Sequence, residues 1–189
     1  STLIDLILGL IKPTKGTITI DGNNLYEDLK SWQEQIGYVP QDIYLLDDTI
    51  KNNIAFGLKE SDINQEAIKR SIKFSRLEEY VNLLEEKENT IIGNRGIKVS
   101  GGQKQRIGIA RALYHDPKIL ILDEATSSLD TNNEKKIMDE IYDSSGNKTL
   151  IIITHRHSSV FNCDKVYLIE NGHIIDEGKY EEIKNRNIL

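Results

Sequence analysis

Two uninterrupted apolar runs decide most of what this chain can be: KILILDE at 118–124 and TLIIITH at 149–155. A strand with one solvated face alternates apolar and polar residues. These two do not, so each must be covered on both faces. Strands of that kind pair in parallel, and a parallel pair needs a crossover connection. The stretch from Asn132 to Tyr142 carries a helical pattern between the runs and supplies one. The expectation is an α/β fold: a mostly parallel sheet flanked by helices, built around a βαβ unit.

The remaining segments fill in that plan. STLIDLILGLIKPTKG opens the chain as an amphipathic helix followed by a turn. GTITIDG (16–22) alternates with period 2 and ends in an Asp-Gly turn, and QIGYVPQD (35–42) reads as a short strand running into a loop. From Ile43 to Val99 the pattern turns helical and polar, with helical segments around 49–56, 62–74 and 76–85. VYLIENGHIIDEG (166–178) is a hairpin about Asn171-Gly172, which suits a type I′ turn. We therefore expect one domain in which 1–42 and 100–189 form the core and 43–99 form an inserted helical subdomain.

Composition narrows the function. The net charge is -6 and the basic residues are scattered, Lys135-Lys136 being the longest run, which reads as a solvated helix face. Phosphate neutralisation along a nucleic acid needs clustered Lys and Arg, so no nucleic-acid partner is expected. The single cysteine, Cys163, excludes an internal disulfide and reads as a packing residue. No apolar run approaches the ~20 residues of a membrane helix and no signal peptide is read, so membrane work is expected to fall to a partner segment.

The chemistry gathers at the ends of the strands. In ILILDEATSSLD (119–130) a buried strand delivers Asp123 and Glu124 at its carboxyl end, where ligands bind in open α/β sheets. Neighbouring strand residues point oppositely, so the two carboxylates divide the work: one holds Mg²⁺ while the other polarises an attacking water. In VSGGQKQRIGIARAL (99–113), Ser100-Gly101-Gly102 stands directly before an amphipathic helix, with Gln103 adding an amide. Paired glycines let backbone N–H groups approach a ligand closely, and the helix terminus favours an anion there, phosphate above all. His155 ends its strand as Asp123 ends its own, so a parallel pair would put imidazole and carboxylates on one rim, with His155 as a γ-phosphate contact. His115, His157 and His173 have no such company and are read as surface or turn residues. Gln41 lies where the core meets the helical insertion, placed to sense metal or water and move that insertion. A magnesium-phosphate site lacks a cradle without a Gly-Lys-Ser/Thr loop, and Ser1-Thr2 before an apolar helix looks like the tail of such a loop. The chain is thus expected to start one residue after the loop lysine, with Ser1 as the Mg²⁺ hydroxyl ligand.

Together these residues resemble the nucleotide-binding domain of ABC transporters over essentially the whole chain. On that resemblance, Ser1-Thr2 is a Walker A remnant and Gln41 the Q-loop glutamine. Ser100-Gly101-Gly102-Gln103 is the signature, with Val99 where leucine is more usual. Ile119 to Asp123 is Walker B, Glu124 the catalytic glutamate, Ser127-Ser128-Leu129-Asp130 the D-loop and His155 the switch histidine. Ala125 in DEATSSLD, the TIIGNRG segment (90–96) and the residues following Gln41 are similar to the exporter branch, although Asn94 replaces a glutamate. Within that branch the flavour is of bacterial lipid or lipid-linked oligosaccharide flippases.

The resemblance implies a P-loop NTPase-like fold and ATP hydrolysis with Mg²⁺ by a head-to-tail dimer. Ser1, Thr2 and Gln41 of one copy, with His155, would contact nucleotide, and Ser100 to Gln103 and Asp130 would complete the site. Ser1, Gln41 and Asp123 would hold the metal. Tyr44, Leu45 and Leu46 would line the groove that receives a transmembrane partner, at the cytoplasmic face of a membrane. The alternative is a non-transport ABC ATPase of translation or DNA repair. A repair ATPase would carry a long coiled coil between Gln41 and Ser100, which lie too close in sequence to hold one. Both chain ends read as cut, so stable folding and tight ATP binding are not expected of this stretch alone.

Overall fold

The computed structural model describes residues 2–93, 96–125, 131–145 and 148–186. Helix α1 (Thr2–Ile7) leads into a small hairpin of β1 (Thr19–Ile20) and β2 (Asn23–Asn24), then α2 (Leu29–Glu34) and β3 (Ile36–Val39). Next come β4 (Asp48–Thr49), α3 (Ile50–Ile54), α4 (Gln65–Phe74), α5 (Glu78–Asn82) and β5 (Ile91–Ile92). The long helix α6 (Gly101–Leu113) precedes β6 (Ile119–Asp123), α7 (Thr131–Ser145) and β7 (Thr149–Ile153). The hairpin β8 (Val166–Glu170) and β9 (His173–Gly178) and the short α8 (Tyr180–Asn185) follow.

The two apolar runs pair as their composition requires. Strands β3, β6 and β7 form a parallel sheet in that order, with β6 in the middle, joined to β7 through α7. Side chains then sort by parity, because successive strand residues face opposite sides. Val39, Leu120, Leu122, Leu150 and Ile152 meet Ile109, Ala112 and Leu113 of α6 and Ile137, Met138 and Ile141 of α7. Ile36, Tyr38, Ile119, Ile121, Ile151 and Ile153 face the other way, onto Ile4 and Leu8. Burying one such side chain is worth about 1.5–3 kcal/mol, so a sheet covered on both faces is the low-energy solution for these runs.

The α1 side is held by hydrogen bonds as well as packing. A helix leaves its last carbonyls unpaired, and at the end of α1 they are met from α2. The Trp32 indole N–H donates to the Ile7 carbonyl at 2.7 Å and the Gln33 amide to that of Leu8 at 3.0 Å. Gly9, at φ +69°, then takes the left-handed turn that ends the helix.

Residues 43–99 pack largely among themselves and against one face of α6. Ile50, Ile54, Ile68, Ile72, Leu77, Val81 and Ile92 form a second buried cluster with Ile107, Ala110 and Tyr114 of that helix. The Arg111 guanidinium donates to the Asn53 carbonyl at 2.8 Å and stacks over Phe56. Helix α6 is therefore shared, one side facing the sheet and the other facing this cluster.

Most expected elements appear, but the segment 16–22 differs. Only Thr19–Ile20 is strand, pairing antiparallel with Asn23–Asn24 across Asp21-Gly22. The ladder stops because the chain turns at once: the Asn24 side chain accepts from Tyr26 N–H at 3.0 Å and caps a single 3-10 turn. The expected type I′ geometry at Asn171-Gly172 is present, with φ of +50° and +80°. Lys135 and Lys136 are exposed, as a solvated helix face requires. Among the described residues, no helix is long and apolar enough to cross a membrane.

Helix α6 lies close against the sheet at Gly37, where an added Cβ would lie 2.4 Å from the Ala112 carbonyl oxygen and 2.8 Å from Pro117. Backbone cannot swing aside as a side chain can. Gly37→Ala is expected to cost about 1–3 kcal/mol through overpacking, read as a lowered urea midpoint at unchanged m-value.

Candidate functional site

The site begins where β6 stops pairing. Asp123 is opposite Ile153 in the parallel register, and the Glu124 N–H still donates to the Ile153 carbonyl at 2.9 Å. Glu124 then adopts φ +47°, a left-handed conformation that a non-glycine residue holds only at some cost. Strained backbone of this sort persists where the surroundings over-determine it, and here they do. The Gln41 amide donates to Glu124 Oε2 at 2.8 Å, and His155 Nε2 lies 2.9 Å from Oε1. A carboxylate only accepts, so the imidazole nitrogen is the donor.

Three strand ends thus each send one side chain to the same point: Gln41 from the loop after β3, Glu124 from β6 and His155 from beyond β7. The Glu124 side chain is 21% exposed while that of His155 is 90% exposed. The histidine reaches the carboxylate from the solvent side and remains free to turn.

Asp123 points to the other face, as strand parity dictates, and is buried. The Tyr38 hydroxyl donates to its Oδ2 at 3.2 Å from the neighbouring strand β3. Burial first, and then the charge and hydrogen bond of Asp123, push the Tyr38 phenol up to about 12, so it stays a protonated donor. Tyr38 was not among the residues singled out from sequence. The signal was present, since Tyr38 alternates with Ile36 on β3 and so shares the α1 face with Asp123.

The glycine turn at 100–103 is built as a helix start. Ser100 caps α6: its hydroxyl oxygen accepts from Gln103 N–H at 3.2 Å, while Gln103 Oε1 accepts from Ser100 N–H at 2.7 Å. This reciprocal pair fixes the turn and exposes Ser100 and Gly101. It does not meet the Glu124 cluster. Gly108 packs on Ile43 and Ala112 approaches Gly37, so α6 runs opposite to β3. Its N-terminus then projects about 10 Å beyond Gly108, past the carboxyl end of the sheet.

Thr2 is exposed at the first position of α1, the helix packed on the Asp123 face. Ser1 and Asp130, with the rest of 127–130, lie outside the described residues, as do Asn94 and Arg95. Of the three residues expected to line a groove, Tyr44 stands 72% exposed. Leu45 does not. It turns inward and packs against both buried clusters, and Leu46 is tied by its N–H to Asn53 Oδ1 at 2.8 Å. Leu45 is half-buried there, its apolar side chain filling the space between the two cores.

The chain's likeness to known proteins agrees with this geometry. The ABC transporter family model matches residues 1–127, more than half of the chain. A multidrug resistance ABC transporter ATP-binding and permease protein of Lactococcus lactis is 39% identical over 97% of this chain and 31% of its own length. An ATP-dependent lipid A-core flippase of Ralstonia nicotianae is 38% identical over 100% of this chain and 32% of its own length. Among solved structures, a bacterial Atm1-family ABC exporter with ATP bound superposes with a TM-score of 0.90 at 33% identity, covering 100% of this chain and 33% of that one. The chain therefore spans a third or less of the length of the relatives it matches. The chain belongs to the ABC transporter family, and its fold is that of an ABC exporter's ATPase domain.

Proposed function

We propose that this chain is the ATP-hydrolysing domain of an ABC exporter, acting at the cytoplasmic face of a membrane. It would drive export or flipping of a lipid, lipid-linked saccharide or drug-like molecule. The observation that carries the reading is the convergence of Gln41 and His155 on the two oxygens of Glu124. A translation or repair ATPase is disfavoured by relatives that include a multidrug resistance ABC transporter and lipid A-core flippases.

In the proposed reaction the terminal phosphate of ATP lies above the rim formed by the three strand ends. Each Glu124 oxygen already accepts one bond and keeps a further lone pair, so a water can be polarised beside these donors, and more strongly once one of them turns away. His155 can do so at little cost, because its side chain is 90% exposed. Turned from Glu124, its N–H is free to donate to the terminal phosphate, and the released carboxylate oxygen accepts from the attacking water. Donors gathered at a strand end act through positioning and charge rather than covalent chemistry.

The residues at the rim also fit Mg²⁺. Among the described residues no cluster of three or more ligating side chains could hold a metal alone. Mg²⁺ does not ask for one: it binds through one or two carboxylates together with substrate phosphates and water. Asp123 offers a carboxylate whose Oδ2 is fixed by Tyr38, and Gln41 would offer its amide oxygen. Ser1 would supply the hydroxyl. When bound, the ion neutralises the charge that develops on the phosphates.

A second copy would supply the other half of the site. The Ser100–Gln103 turn extends beyond the carboxyl end of the sheet, so a head-to-tail pair would bring the turn of one chain to the rim of the other, with Asp130 at that contact. The segment 43–99 would act as the unit facing the transmembrane partner. It packs on α6 and adjoins Gln41, so a shift of this segment reaches both the turn and the rim.

Two outcomes test this in the intact protein as the cell makes it. Glu124→Gln keeps ATP binding while lowering turnover about a hundredfold or more, measured by nucleotide titration and phosphate release. Equal loss of both contradicts the role. Tyr38→Phe removes the donor that fixes Asp123 and costs about 1.5 kcal/mol in denaturant unfolding. A phenol raised from 10.0 to about 12 on folding contributes fully below its ordinary value and loses that contribution as pH rises through the folded one. The gap between wild type and variant is therefore flat around neutral pH and closes across that alkaline window.

A further inference from the structure

The loop carrying His155 is fastened to α7. Glu134, in the first turn of that helix, is only 2% exposed. Its Oε2 accepts from Arg156 Nη1 at 2.6 Å and its Oε1 accepts from the Ser159 hydroxyl at 2.6 Å. Two turns along, the Tyr142 hydroxyl donates to the Ser159 carbonyl at 3.1 Å, with Cys163 Sγ 3.5 Å away. Arg156 N–H donates to Thr154 Oγ1 at 2.9 Å, and residues 157–159 form one 3-10 turn. The chain on the far side of His155 is pinned at Arg156 and Ser159, and both pins end on one carboxylate.

A carboxylate buried to this degree is costly unless its charge is paired and its oxygens are bonded. Glu134 meets both conditions, and it meets them with the residue directly after His155. The imidazole itself gives its loop little support, because its side chain is 90% exposed and rests on Glu124. What sets its reach is the backbone from 154 to 156. We infer that Glu134, through Arg156 and Ser159, is the positioning group for His155, so that a buried carboxylate on α7 governs turnover without touching nucleotide. The inference rests on the proposed role of His155. It gives α7 a second task beyond the crossover: its first turn follows the 127–130 segment in sequence and grips the histidine loop.

The test uses the intact protein, with Glu134→Gln made alone and in a His155→Ala background. The isosteric amide keeps the volume and one acceptor but removes the charge that holds Arg156. A misplacement of about 1 Å in a catalytic group can cost up to about a hundredfold. Glu134→Gln alone is therefore expected to lower kcat about tenfold with KM for ATP within about twofold. On the residual single-turnover rate of His155→Ala, the same change has no further effect, because the group it positions is gone. Ser159→Ala removes one of the two pins in a milder way, so it serves if Glu134→Gln does not fold; it should lower kcat about threefold with the same dependence on His155. Wild-type kcat in these variants, or an equal fold-loss with and without His155, overturns the inference. A His155→Ala protein that turns over at the wild-type rate instead overturns the reading of His155 beneath it.

Discussion

The parallel register of β6 on β7 is the constraint from which the site follows. Leu122 pairs with Ile152 and Asp123 with Ile153, so both strands run out at the same level. The Glu124 N–H then reaches the Ile153 carbonyl and holds the turn at φ +47° against the neighbouring strand. A slip of one residue would exchange the faces of every side chain on β6. It would turn Leu120 and Leu122 toward α1, and would take Asp123 away from Tyr38. Core packing and site geometry are thus fixed by one choice, because the same alternation that buries the apolar residues separates the two carboxylates.

Helix α6 couples that sheet to the 43–99 segment. Ile109, Ala112 and Leu113 face the sheet, while Ile107, Ala110 and Tyr114 belong to the second cluster. Close packing transmits displacement rather than absorbing it, and Gly37 and Gly108 let the helix lie against β3 and Ile43 without intervening side chains. A movement of the segment therefore carries the capped Ser100 turn with it. Gln41 sits at the other junction, between β3 and the same segment, bonded to Glu124. The two routes start from one packed unit and end at the two groups proposed above to meet nucleotide.

Much of this was readable from residue order because apolar periodicity reports burial directly. The uninterrupted runs at 119–122 and 150–153 required a parallel pair, and a parallel pair puts residues just past the strands on one rim, so Glu124 and His155 could be joined before any coordinates. Asn171-Gly172 announced its turn by backbone preference alone. Other features depend on partners distant in sequence, which no local pattern encodes. Glu134 looks like one more acid on a polar helix until Arg156 and Ser159 fold over it. Tyr38 looks like a strand filler until Asp123 arrives beside it. Leu45 was ambiguous for another reason: an apolar residue in a loop can serve a surface groove or a core, and only the packing of two clusters beside it gives its place. The strand at 16–22 was cut short because alternation states which face a residue prefers, and not how long a partner remains alongside.

The account stands or falls on where the terminal phosphate sits. A nucleotide-bound structure of the intact protein, captured with the Glu124→Gln change and ATP, tests this most directly. It should show the terminal phosphate within hydrogen-bond reach of His155 and Gln41 on one chain and of the Ser100 turn on a second. Nucleotide held away from the carboxyl ends of β3, β6 and β7, or a second copy that leaves its Ser100 turn in solvent, would contradict the account.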